Sequence, residues 1–281
     1  MASRAPVRRV LITNAGGAMG LGFTRSLKAS QEPFYLIGVD ADKYRLQRAE
    51  THERHLVPRA NEEDYVAILA SITEDTGAEL VCPQLDPEVL AVSAARNSLA
   101  ARVFLPRHET IESCNNKYYS QRLWEQAGLP VPGTMLIRDE QDLMSAFRKL
   151  GPRLWLRPLR GAGGRDSLPV SDLETARMWI EMKKGWGTFT AAQCLEQQSI
   201  TWQSIWRDGE LVVAQGRRRI YWEFGSRFPS GVSGITGTGE TVSDPMVDET
   251  AMAAILAIDP RPHGVFSVDL TYDRRGVPNL T

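Results

Sequence analysis

Short apolar runs alternate with amphipathic stretches over residues 7–105. Residues 7–13 (Val-Arg-Arg-Val-Leu-Ile-Thr) form a β-rich run, and residues 14–20 (Asn-Ala-Gly-Gly-Ala-Met-Gly) turn it into a helix that continues to residue 30. A second strand is predicted at 34–40, a third at 79–82, stopped by Pro83, and a short fourth at 102–105. Between them, 64–76 places Tyr65, Ile68, Leu69 and Ile72 at helical spacing, and 87–101 reads as helical too. Helices inserted between successive strands predict a parallel sheet with crossover connections.

After residue 113 the pattern changes. A helix at 115–127 ends at Gly128, a favoured C-cap residue, with Pro130 and Pro132 beyond it. A strand at 133–137, a helix at 140–150 and a strand at 153–156 follow, then a helix at 171–184 capped by Ser171 or Asp172. From residue 189 strands dominate, at 189–195, 200–206, 210–215 and 265–272. Asp208-Gly209 between two of them is a hairpin signal. The expected class is α/β, passing to α+β in the second half. Residues 277–281 read as a strand that stops in mid-course, so more chain is expected in the native protein.

Bulk properties narrow the function. The length of 281 residues favours more than one domain. A net charge of −1 gives no global field for nucleic acid or membrane, so any anion site must be built locally. No apolar run approaches the roughly 18 residues of a membrane-spanning helix, and the N-terminus lacks a signal-peptide core. Cys82, Cys114 and Cys194 are widely spaced and odd in number, which suggests reduced thiols in a cytoplasmic protein.

Candidate chemistry concentrates in Leu154-Trp-Leu-Arg-Pro-Leu-Arg-Gly-Ala-Gly-Gly-Arg-Asp-Ser167, an apolar strand running into a glycine-rich loop. Backbone that approaches an anion closely needs glycine, and successive N–H groups form a concavity for phosphate oxygens. Arg157 and Arg160 bring charge to the same place. The earlier glycines at 16, 17, 20 and 22, with Asp40 ending the next strand, resemble a dinucleotide fingerprint, but the G-x-G-x-x-G spacing fails. That turn reads as close packing or as a phosphate or acceptor site at Gly17. Asp86 and Glu88 follow a strand end, where open α/β sheets bind ligands, and helix capping by Asp86 is the alternative. Residues 230–240, rich in glycine and hydroxyls and including Ser233, read as an active-site loop or a surface loop.

Three further segments give these features a frame: Ser113-Cys-Asn-Asn-Lys117 with Gly-Leu-Pro-Val-Pro-Gly-Thr134 after it, Gln193-Cys-Leu-Glu196 followed by Asp208-Gly-Glu-Leu211, and His263-Gly-Val-Phe-Ser-Val-Asp-Leu-Thr-Tyr-Asp273. In this order and spacing the chain resembles the ATP-grasp superfamily, in the branch of the carbamoyl-phosphate synthetase large subunit and related carboxylate–amine ligases. The resemblance implies a Rossmann-like pre-ATP-grasp domain at 1–113, a lid subdomain at 114–192 and an incomplete C-terminal subdomain at 193–281. It implies ATP and Mg²⁺ as cofactors, small-molecule carboxylate and amine substrates, and no nucleic-acid or membrane partner, and it allows a homodimer.

Carried over residue by residue, Lys117 matches a phosphate-contacting lysine, and Arg157 stands where the family usually has a second lysine. Gly161, Gly163 and Gly164 match the flap over the triphosphate. Gln193, Cys194, Leu195 and Glu196 match the adenine hinge. An acidic residue toward the ribose is expected near Ile200 or Thr201, and neither is acidic. Asp269 matches the first Mg²⁺ ligand, and the second is expected beyond residue 281. One of Arg217, Arg218 and Arg219 would stabilise the transferred phosphoryl group, and strand alternation sends Arg217 and Arg219 to one face and Arg218 to the other. Two other readings stay open: a nucleotide-binding module without catalysis, and an NAD-dependent oxidoreductase built on residues 1–113.

Overall fold

Strand β1 (Arg8–Ile12) opens a βα series in the computed structural model, which describes residues 7–195 and 199–281. The series continues through α1 (Ala18–Lys28), β2 (Phe34–Asp40), α2 (Lys43–Leu46), β3 (Glu53–Leu56), α3 (Tyr65–Thr76), β4 (Leu80–Cys82), α4 (Asp86–Ala94) and β5 (Arg102–Val103). The five strands are parallel, in the order β3-β2-β1-β4-β5. One face buries Leu11, Ile37, Val39 and Val81 with Leu69 and Ile72 of α3 and Val92 of α4. The other buries Val10, Ile12 and Leu36 beneath Phe23 and Leu27 of α1. Burial on both faces explains why the central strands β1, β2 and β4 carry apolar runs rather than alternating ones. These elements lie in one unit, Met1–Ile111, and the rest of the chain, Glu112–Thr281, is a second. Helix α5 (His108–Asn115) lies at the division.

The second unit holds two antiparallel sheets. Its first half runs α6 (Lys117–Gln126), β6 (Thr134–Ile137), α7 (Glu140–Leu150), β7 (Leu154–Pro158), β8 (Leu168–Val170), α8 (Leu173–Met182) and β9 (Phe189–Gln193), with strand order β6-β9-β7-β8. Asp172 caps α8 by accepting a hydrogen bond from Thr175 N at 2.8 Å, which settles the choice between Ser171 and Asp172. Leu143, Ala146, Ala176 and Ile180 of the helices pack on Leu154, Leu156 and Ala191 of the sheet.

The second half runs β10 (Ser199–Arg207), β11 (Glu210–Trp222), β12 (Thr236–Val242), α9 (Pro245–Ile258), β13 (Gly264–Tyr272) and β14 (Pro278–Leu280), with order β12-β11-β10-β13-β14. Alternation sends Ile200, Trp202, Trp206, Phe266, Val268 and Leu270 onto Val247, Ala251, Ala254 and Ile255 of α9. The opposite face carries Thr201, Gln203, Ser267 and Asp269. Two expectations are corrected here. The strand expected at 210–215 continues to Trp222, because Gly216 to Trp222 pairs with β12. Part of the supposed loop at 230–240 is that partner strand.

Asp208 and Gly209 both have positive φ (53° and 97°) and form the β10–β11 turn, as the sequence suggests. A bulge between Ile205 and Trp206 shifts the pairing by one residue. Among the described residues, no helix is long and apolar enough to cross a membrane.

Candidate active site

Lys117 is the first residue of α6, behind Asn116, whose side chain caps the helix by accepting from Tyr119 N at 3.2 Å. Its backbone N–H donates to Leu159 O at 2.9 Å, and its Nζ donates to the carbonyl of Gly161. The helix start is thereby fixed on the loop that leaves β7. Gly161, Gly163 and Gly164 have φ of 116°, 69° and 64°, values that residues with a Cβ rarely adopt. The loop also lies against the second glycine-rich segment. A Cβ on Gly164 would stand 2.7 Å from Val232 Cγ1, and one on Gly234 would stand 2.2 Å from Gly163 Cα.

Arg157, on β7, has a buried Nε with no hydrogen-bond partner. Burial pushes its pKa down to about 10, against the charge of Asp269, so it remains cationic at neutral pH. Asp269 lies on β13 and points away from the apolar core, half-exposed. The cost of an unpaired carboxylate inside an apolar strand therefore does not arise, because alternation places this one on the polar face. Thr201 Oγ1 donates to Asp269 Oδ1 at 2.6 Å, and Arg219 Nη2 lies 3.8 Å from the same oxygen.

Arg219 is fixed from every side. Its Nε donates to Thr236 Oγ1 at 2.9 Å, Nη2 to Thr201 Oγ1 at 2.9 Å and Nη1 to Ser199 Oγ. Its guanidinium lies 3.5 Å over the centre of the Trp222 ring. Burial lowers its pKa, Asp269 opposes that shift, and the neighbouring charge of Arg217 adds to it. Arg217 donates to Gln203 Oε1 at 2.6 Å on the same face, whereas Arg218 pairs with Glu240 at 3.1 Å. Thr201, Ser199, Thr236 and Trp222 were not candidates from the sequence. The hairpin signal pointed to the pairing of β10 with β11 but not to that of β12, and the bulge that sets the register left no trace in the sequence.

Gln193 ends β9, and its side chain accepts from Gly133 N at 3.0 Å, tying the strand end to the start of β6. Cys194 and Leu195 follow, half-buried. Glu196 lies outside the described residues. Ser233 is buried, and its hydroxyl donates to Glu223 O and accepts from Ile235 N at 3.2 Å, holding its loop together.

In the first unit the candidates other than Asp86 are held by protein partners. A Cβ on Gly17, the N-cap of α1, would meet the Asn14 side chain at 2.3 Å, and one on Gly16 would meet Arg45 O at 1.8 Å. Asp40 is buried, accepts from Gly16 N at 3.2 Å and pairs with Arg45 at 3.2 Å, so its carboxylate is occupied where a ribose would need it. Glu88, not Asp86, caps α4. Its Oε2 accepts from Thr13 Oγ1 at 2.5 Å, Leu85 N at 3.0 Å and Gln84 N at 3.3 Å. Burial raises its pKa against these bonds, and the charge of Asp40 raises it further. Asp86 is exposed.

Among the described residues, no three His, Cys, Asp or Glu side chains converge as a metal cage. Asp269 offers one carboxylate, which suits Mg²⁺, a cation that takes one or two carboxylates and completes its shell with phosphate and water oxygens.

No protein-family model matches the sequence. The L-arginine-specific L-amino acid ligase of Bacillus subtilis is 23% identical over 167 residues, which is 53% of this chain and 40% of that enzyme. The crystal structure of L-amino acid ligase from Bacillus licheniformis superposes with a TM-score of 0.69 at 13% identity, over 97% of this chain and 65% of that one. The biotin carboxylase domain of the Hydrogenobacter thermophilus 2-oxoglutarate carboxylase, in complex with MgADP, ADP and bicarbonate, gives a TM-score of 0.73 at 13% identity, over 98% and 63%. The chain thus spans less than two thirds of the length of each of these relatives. Its mixed α/β fold is that of the ATP-grasp carboxylate–amine ligases, the family that its motifs resemble.

Proposed function

We propose that the chain carries the nucleotide site of an ATP-dependent carboxylate–amine ligase. The observation that carries this reading is Arg157: a half-buried cation whose Nε is buried without a partner, on the strand that leads into the glycine flap held by Lys117 and within reach of the charge of Asp269. A buried charge without a full set of partners is costly, and an anionic ligand would supply what the protein does not.

On this reading Lys117, Arg157 and the backbone of Gly161, Gly163 and Gly164 hold the phosphates, and residues 193–196 hold the base. Asp269 would hold Mg²⁺, which when bound would neutralise charge on the phosphate oxygens. Arg219, locked in place, faces the phosphoryl group in transit, where preorganised charge lowers the barrier without reorganisation. The flap keeps water from the activated acid. The carboxylate substrate takes the terminal phosphoryl group from ATP and releases ADP, and an amine then attacks the acyl carbon and expels phosphate. The first unit serves as the Rossmann-like pre-ATP-grasp domain, and the protein acts in the cytoplasm.

Calorimetric titration with ATP and with NAD tests the reading. ATP should bind in a Mg²⁺-dependent manner, and Lys117→Ala should weaken it by about 1.5–3 kcal/mol, the range for a hydrogen bond to a charged group. Binding of NAD alone would sink the proposal. Binding of MgATP without phosphate release across a panel of acids and amines would leave a nucleotide-binding module.

A further inference from the structure

We propose that Thr201 is the positioning residue of the cation site: its hydroxyl fixes which oxygen of Asp269 meets Mg²⁺ and ties that carboxylate to Arg219. The inference rests on the nucleotide reading above and deepens it.

The polarity of the bonding is fixed. A guanidinium has donors only, so Arg219 Nη2 donates to Thr201 Oγ1 at 2.9 Å. The single hydroxyl proton of Thr201 then goes to Asp269 Oδ1 at 2.6 Å. Both contacts of the carboxylate, Thr201 and the more distant Arg219, fall on Oδ1. Among the described residues, Oδ2 accepts no hydrogen bond, which leaves it as the oxygen for the cation. Thr201 stands between Arg217 and Asp269 in register, one strand from each. Ser199, Thr236 and the Trp222 ring hold the rest of Arg219, so the guanidinium does not depend on Thr201 alone. Asp269 depends on it more, because no other side chain donates a hydrogen bond to its carboxylate among the described residues. Groups that orient a metal-binding carboxylate in this way typically cost 10–100-fold in metal affinity when removed.

The test is ATP binding by the whole chain, measured by calorimetry with and without Mg²⁺. Thr201→Val keeps the shape and the strand propensity and removes the hydroxyl. It should lose roughly tenfold or more of the Mg²⁺-dependent gain in ATP affinity, with a much smaller change in metal-free affinity because Ser199, Thr236 and Trp222 still hold Arg219. Thr201→Ser should recover the gain. In an Asp269→Asn background, Thr201→Val should add no further loss. A Thr201→Val protein with the full wild-type gain overturns the role of Thr201 and leaves the nucleotide reading standing. A wild-type chain that binds no ATP, or binds it equally with and without Mg²⁺, removes the reading and this inference together. Thr201→Ala, scored by the same ratio, replaces the valine variant if that one melts early.

Discussion

Two glycine-rich turns, each leaving a strand, serve opposite purposes in this molecule. The turn after β1 is filled by protein: Gly16 lies against the Arg45 carbonyl, Gly17 against Asn14 and Gly20 against the Asn14 carbonyl. Its acidic neighbours are occupied too, Asp40 by Arg45 and Gly16 N, and Glu88 by Thr13 and the start of α4. The turn after β7 is different. Gly163 and Gly164 lie against Ser233 and Val232 of the second glycine-rich segment, but a Cβ on Gly161 would meet nothing within 4 Å, and the nearby Arg157 Nε is buried without a partner. Closed glycines whose neighbouring carboxylates are taken by protein groups mark a structural turn. An open glycine beside an unpartnered cation marks a place prepared for a ligand. The same residue type after the same element therefore carries no functional meaning until its surroundings are known.

The largest expected effect breaks the first turn. Gly16→Ala places a methyl group inside the contact distance of a backbone carbonyl, which cannot swing aside as a side chain would. It should cost roughly 3 kcal/mol or more, at or above the upper end for overpacking, read as a lower denaturant midpoint. A loss under about 1 kcal/mol would mean that the turn has room, and the contrast would fail. Arg157→Met tests the second turn with an effect of two signs. Removing a buried, incompletely paired charge should raise ligand-free stability by up to about 1–2 kcal/mol, while ATP affinity falls by roughly tenfold or more. Loss of both would make Arg157 a structural residue.

Much of this fold was legible in the sequence because the local signals agreed with the final packing. The strand at 34–40, the helix at 64–76 and the hairpin at Asp208-Gly209 are found where periodicity and turn chemistry put them. Helix α9 was missed although Asp244, its N-cap, and Pro245 at its first position are start signals. The length of β11 was missed for another reason. Its charged run 217–219 looks like surface, and only pairing with strands on both sides makes it extended.

The site shows the same division. Lys117, the flap and Asp269 stood out by residue type and order. The environment of Arg219 did not, because it depends on the bulge at Ile205/Trp206. Pairing continued from the hairpin turn without a bulge would set Thr201 opposite Gly216 and turn Arg218, rather than Arg217 and Arg219, toward Asp269. A one-residue slip exchanges the faces of a strand, and no propensity encodes it here.

A smaller effect sharpens the contrast at the flap. Gly161→Ala meets no atoms, so its cost is backbone strain alone at φ of 116°, about 1–2 kcal/mol. Thermal stability should fall by far less than in Gly16→Ala, while ATP affinity falls with the reshaped flap. Equal thermal losses at the two glycines would erase the distinction.

The smallest effect is a pH dependence confined to the first turn. Burial raises the pKa of Glu88 in the folded chain, so between its unfolded and folded values the folded state holds a proton that the unfolded chain has released. Its contribution is greatest below the unfolded value, about 4.3, and declines as the pH rises through the raised one. Asp42, Asp172 and Asp273, whose pKa values are lowered first of all by backbone N–H bonds, contribute the opposite slope, lost as the pH falls. Only a difference between variants isolates Glu88. Glu88→Gln keeps an oxygen for Thr13 and removes the titration, so stability measured from pH 4 upward should change from favouring the wild type toward favouring the variant. A wild-type-minus-Gln difference that stays flat across this range would mean that Glu88 is solvated like an ordinary surface carboxylate, and the first turn would then be less closed than its glycines indicate.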